Sequence, residues 1–153
     1  MNHENSLKEF MREKNIRGEH LAVGKSCHSV EEAARAIDGS PEDFIKSICM
    51  IDQKGRMIVA IVRGDHRAST SRVAKALSIA RPRIATPDEI LEKTGYPAGG
   101  VPPFGFDAIF LIDPKVMEQD MVYGGGGSET SLVKVQPGEL QEATNGQIVR
   151  VRK

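Results

Sequence analysis

Apolar positions along the chain recur in two rhythms, one near every 3.6 residues and one of alternation or short unbroken runs, and the switches between them predict the elements. Leu7, Phe10 and Met11 share one helical face, and Ser6-Leu7-Lys8-Glu9 reads as its capping box, with the helix expected to stop near Asn15. Gly18 then turns the chain into a short strand around Leu21 to Val23. Ser29-Val30-Glu31-Glu32 is a second capping box. It leads into Ala33, Ala34, Ala36 and Ile37, a narrow face suited to close packing on a sheet. Asp38-Gly39 ends that helix, and Ser40 with Pro41 starts one further turn.

Phe44 to Ile51 and Met57 to Arg63 are strand-like runs joined by a glycine-containing loop of hairpin length. Ser69 to Leu77 reads as a helix and Arg83 to Ala85 as a short strand. Thr86-Pro87-Asp88-Glu89 is a third capping box with proline at its favoured first position, and Gly95 closes its helix. Strand-like Ala108 to Ile112, a helical turn from Asp113-Pro114, and strand-like Met121 to Tyr123 follow. Ser131 to Val135 and Gln147 to Val151 complete the set, with a short helix from Pro137 between them. Hairpins thus mix with crossovers, which predicts an α/β (α+β-like) fold, a mixed sheet covered by helices, in one domain over residues 1–153.

Composition narrows the class. The 39% hydrophobic and 27% charged fractions are those of a globular protein, and no apolar stretch approaches membrane-span length. Met1 to Arg12 carries Glu4 and Glu9 and lacks the apolar core of a signal peptide, so the cytoplasm is the expected location. Lysines and arginines number 21 against 21 acids and are scattered, which argues against a grip on long nucleic acid, DNA above all. Contact with one RNA end stays open. Cys27 and Cys49 are too few for a disulfide framework or a zinc site, and Cys49, in Ile48-Cys49-Met50-Ile51, reads as a small buried hydrophobe. Cys27 lies beside His28, but a nucleophilic pair needs spatial rather than sequential adjacency.

Three features stand out as candidate chemistry. Gly95 to Gly105 is a glycine/proline loop longer than most connectors, able to aim backbone N–H groups at an anion. Gly124 to Gly127 is either bare backbone for close approach or a flexible hairpin tip. Lys46 interrupts an apolar strand: it is either turned inward toward an anionic partner or ligand, or sits at a strand end with its head in water. Asp65-His66-Arg67 reads as a solvated turn. Metal-ligand spacing, a nucleophile elbow, and the nucleotide-binding glycine motifs are all missing from the sequence.

In their order, Lys46-Ser47-Ile48 at a strand start, Thr94-Gly95-Tyr96 with Gly99-Gly100-Val101-Pro102-Pro103, and a glycine turn before an amphipathic strand resemble the YbaK/EbsC family. That family belongs to the aminoacyl-tRNA deacylase superfamily that includes the editing domain of bacterial prolyl-tRNA synthetases. The likeness spans residues 16 to 145, and Ser29 to Ala34 resembles the family's early helix. It implies a partly barrel-like sheet surrounded by helices and hydrolysis, without metal or cofactor, of the ester joining an amino acid to the terminal adenosine of tRNA.

By this resemblance Lys46 is the catalytic residue that holds the substrate's 3′ end. Gly99, Gly100, Val101, Pro102 and Pro103 line the pocket, and Gly125, Gly126 and Ser131 complete the substrate-binding set. The implied partners are the 3′ end of aminoacyl-tRNA and an aminoacyl-tRNA synthetase. Relatives that clear alanine carry a late histidine, absent here between Tyr123 and Lys153; cysteine-clearing relatives carry an acid near the place of Ser131. The amino acid therefore stays open. So do two other readings, a module of the same fold that binds aminoacyl-tRNA or a synthetase without cleavage, and a hydrolase of other aminoacyl esters.

Overall fold

A computed structural model describes residues 3–153. Helix α1 (His3–Glu13) buries Leu7 and Met11, one turn apart. It starts earlier than the Ser6 box predicts, so Ser6 lies within the helix. The first turn is held from outside, because Glu4 Oε2 accepts a hydrogen bond from Ser128 Oγ at 2.7 Å. Strand β1 (Gly18–Ala22) follows, then α2 (Val30–Ala36), whose N-cap Ser29 accepts from the Glu32 N–H at 3.1 Å.

Strands β2 (Ile45–Ile51) and β3 (Met57–Arg63) form the predicted hairpin. Helix α3 (Thr70–Leu77) has Ser69 as its cap, β4 (Arg83–Ile84) is short, and α4 (Pro87–Thr94) carries the full reciprocal Thr86–Glu89 box. Then come β5 (Ile109–Ile112), α5 (Pro114–Met117), β6 (Val122–Gly125), β7 (Ser131–Val135), α6 (Pro137–Thr144) and β8 (Gln147–Ile148).

The strands make two sheets. One is mixed and five-stranded, in the order β4-β2-β3-β5-β8; the other is antiparallel, in the order β1-β7-β6. Within the first, β2 runs antiparallel to β3 and β4, while β3, β5 and β8 are parallel. A parallel bridge between Phe44 and Tyr123 brings the sheets together beside the start of β2. The arrangement is therefore a mixed, partly barrel-like sheet that stays open, with helices around it.

The unbroken apolar run of β3 follows from burial on both faces. Val59 and Ile61 meet Ile45, Cys49, Val122, Val133 and Phe104 between the sheets. Ile58, Ala60 and Val62 meet Val73 of α3 on the outer side. Helix α2 packs its small face, Ala33 and Ala34, with Phe44 and Leu132.

Two predicted boundaries move for identifiable reasons. Strand β6 runs on through Gly124 and Gly125, which pair with Val133 and Leu132, so half of the glycine run is sheet rather than tip. At the C-terminus the predicted strand to Val151 ends as β8 at Ile148. Beyond it the Asp113 carboxylate replaces the ladder, accepting the N–H groups of Val151 (2.9 Å) and Arg152 (3.0 Å) and the Arg152 guanidinium (2.9 Å). Burial pushes the Asp113 carboxyl upward, but these donors and the Lys115 N–H outweigh it and hold the group below its ordinary 3.8.

Asp113→Ala is expected to cost about 3 kcal/mol, because it orphans buried N–H groups and one guanidinium. Urea denaturation at neutral pH measures that loss. Because the folded value is depressed, the carboxylate's contribution is complete above 3.8 and disappears as pH falls through the lower folded value, so the gap between wild type and variant narrows in acid.

Candidate functional site

The start of β2, the loop before α2, the turn at Ala98–Gly100 and β6 surround a cavity of about 310 Å³. Lys46 is the second residue of β2 and lines this cavity, half-buried, on the strand face shared by Ile48 and Met50. Among the described residues no carboxylate lies within ion-pair reach of its ammonium. Of the two options the sequence leaves open, Lys46 therefore takes a position between them: it is drawn into a concave wall without a protein anion. Next to it, β4 reaches only Met50 and Ile51, which leaves the Ser47 main chain on the open edge of β2.

The long glycine/proline loop supplies the opposite wall. Gly95 ends α4 in the left-handed conformation, and Thr94 Oγ1 accepts the Tyr96 N–H at 3.0 Å, fixing the loop's entry. Gly99 and Val101 line the cavity with Lys46. The bare Cα of Gly99 packs on the His28 ring, where any Cβ would meet Nδ1. Gly125 also lines the cavity and lies against the Val101 carbonyl so closely that a side chain has no room.

The other expected residues stand behind these. Gly100 is buried on the Ser128 main chain, where an added Cβ would come within 2.6 Å, and its carbonyl accepts the Gly127 N–H at 2.8 Å. Pro102 and Pro103 are buried, with the Pro103 ring against Gly124. The Gly126 carbonyl meets His20 Nε2 at 2.8 Å, and its N–H bonds the Ser131 carbonyl at 3.1 Å. Ser131 is 1% exposed, and its hydroxyl lies 2.7 Å from Ser128 Oγ. Lys46, Gly99, Val101 and Gly125 thus come together on one surface. Gly100, Pro102, Pro103, Gly126 and Ser131 form its backing.

Among the residues that line the cavity outside the expected set are His28, Glu31, Ser47 and Tyr123. The Ser29 capping box located the helix start, but no local signal says that this start abuts residues 99 and 129. Cys27 also borders the cavity, and burial, together with the Glu32 charge, pushes its thiol up. Cys49 is 4% exposed and pushed up to about 12 by burial, as a structural hydrophobe should be. In the turn after β3, Arg63 forks onto Asp65 at 2.6 and 2.9 Å. Among the described residues no group of three His, Cys, Asp or Glu could hold a metal ion, and no helix is long and apolar enough to cross a membrane.

Residues 24–143 match the aminoacyl-tRNA editing domain, a stretch that holds every residue of this cavity. The chain belongs to that family. Relatives of the editing domain include YwhH of Bacillus subtilis, 29% identical over 119 residues that cover 76% of this chain and 75% of that protein. The multifunctional Ser/Thr-tRNA deacylase ProXp-y of Escherichia coli K12 is 28% identical over 120 residues, covering 74% and 70%. A match to the proline–tRNA ligase of Thermotoga neapolitana, 26% identical, covers 69% of this chain but only 18% of the ligase. A crystal structure described as a candidate trans-editing enzyme for prolyl tRNA synthetase shares the fold, with TM-score 0.86 at 23% identity over 100% of this chain and 98% of that one.

Gly125→Ala, which forces Cβ onto the Val101 carbonyl, is expected to cost about 1–3 kcal/mol, measured by denaturant unfolding. Both thiols are expected to resist a soluble disulfide reagent at pH 8 in the native state and to react fully once the protein is unfolded.

Proposed function

We propose that this protein is a trans-editing hydrolase that removes a wrongly attached amino acid from tRNA by cleaving the ester at the terminal adenosine. One observation carries the reading: the Lys46 ammonium, with no carboxylate in ion-pair reach among the described residues, shares a cavity with the bare backbone of Gly99 and Gly125. A cation beside bare glycine backbone in a half-enclosed site suits an anionic 3′ end and the oxyanion that develops on the ester carbonyl. An aminoacyl ester is already activated, so the protein needs mainly to position it and stabilise that charge. The ribose hydroxyl beside the ester orients or deprotonates the attacking water, and no metal takes part in this scheme.

The apolar part of the lining, Phe44, Tyr123, Val101 and Leu132, surrounds a volume of about 310 Å³, which suits a small amino-acid side chain next to the ribose. We place the reaction in the cytoplasm, on the 3′ end of aminoacyl-tRNA, with an aminoacyl-tRNA synthetase as partner. The deacylase name of ProXp-y and the match inside the proline–tRNA ligase support that assignment.

A deacylation screen over Ala-, Cys-, Ser-, Thr- and Pro-charged tRNA tests it. At least one is expected to release its amino acid, and Lys46→Ala is expected to slow that release about a hundredfold or more with the fold intact by circular dichroism. Failure to hydrolyse any member at high protein concentration sinks the assignment; protection of the ester instead would identify binding without catalysis.

A further inference from the structure

We propose that His28 is the general base of this reaction, oriented by Glu129. The inference rests on the deacylase reading and deepens it by naming the group that takes the proton. His28 lines the cavity that holds Lys46 and Gly99. Its Nδ1 lies 3.2 Å from Glu129 Oε1. A carboxylate there selects the tautomer with the proton on Nδ1 and leaves the lone pair on Nε2, the atom that can accept a proton.

Backbone contacts hold the pair in register. The Cys27 N–H donates to the Glu129 carbonyl at 2.6 Å, and the N–H groups of Val23 and Gly24 donate to Thr130. The segment before α2 is therefore tied, residue by residue, to the turn that carries Glu129. The bare Cα of Gly99 lies against the same Nδ1 edge of the ring, next to Glu129, so the glycine loop and the imidazole fix each other's position. The titratable and charged groups around the cavity include Glu129, Cys27, Glu31 in the first turn of α2, Lys46 on β2 and Tyr123 on β6. The imidazole sits at the rim, its side chain 56% exposed, where water has access.

The proton inventory closes. Nε2 accepts a proton from water as the oxygen bonds to the ester carbonyl carbon, and the oxyanion forms beside Lys46. The tetrahedral intermediate breaks its bond to the ribose oxygen, which leaves with the proton from the imidazolium. The products are the amino acid and a free ribose hydroxyl, with His28 neutral again. The neighbouring ribose hydroxyl then orients water rather than deprotonating it.

The test is a single-turnover pH–rate profile on whichever charged tRNA of the panel reacts fastest. Wild-type rate is expected to fall as the pH is lowered, because a protonated imidazole cannot accept a proton. His28→Gln is expected to lose about a hundredfold or more and to lack that acid limb, the usual size of a base effect. Glu129→Gln is expected to keep the limb with a smaller loss. A wild type active on tRNA alongside a His28→Gln variant of equal rate and unchanged profile overturns the base alone. A wild type inactive on every charged tRNA overturns the deacylase reading and the base with it.

Discussion

Two glycine segments lie main chain against main chain, and the cavity's shape depends on that contact. Gly100 sits on the backbone of Ser128, Gly125 on the carbonyl of Val101, and the Gly127 N–H donates to the Gly100 carbonyl at 2.8 Å. No residue with a Cβ allows these approaches. At each of them the neighbour is backbone, which cannot rotate out of the way as a side-chain tip can. The entropy that these glycines lose on folding is the cost of packing two main chains so closely that the cavity wall at Gly99, Val101 and Gly125 is held in place.

The electrostatics of the site follow from where one cation is placed rather than from the chain's total. Acids and bases balance at 21 each, and many surface arginines are consumed locally, as Arg63 is on Asp65 and Arg83 is on Glu89. Among the described residues Lys46 has no such partner. It sits half-buried in a concave wall, where its field is less screened than on open surface. The surrounding sheet holds it there. β2 pairs with β3 along its whole length, and β3 is buried on both faces, so the strand that carries the lysine is part of the rigid centre.

Around this centre the fold repeatedly uses polar side chains in place of regular structure. Asp113 caps α5 and also replaces the strand ladder for Val151 and Arg152, which anchors the C-terminal segment to the end of β5. Ser128 links Glu4 of α1 to Ser131 of β7. His20 holds the Gly126 carbonyl one residue from the cavity wall. These contacts join segments far apart in the chain around one loop cluster, so the cavity wall is supported from behind by groups that do not line it.

Local chemistry in the sequence determined most of the elements. Capping boxes located α2 and α4, the Met57–Arg63 run matched β3 residue for residue, and Lys46 and the 99–103 loop stood out because each broke the pattern around it. These signals are readable because a cap, a turn or a strand is decided by neighbours within a few residues. Only the tertiary structure decided which of the expected residues share a surface. It put Gly99 and Gly125 in front and Gly126 and Ser131 behind, moved the start of α1 ahead of Ser6, and set His28 against Glu129, 101 positions away. Those outcomes depend on which main-chain segments approach closely enough to touch, and that is fixed by the packing of two sheets together rather than by any stretch of chain alone.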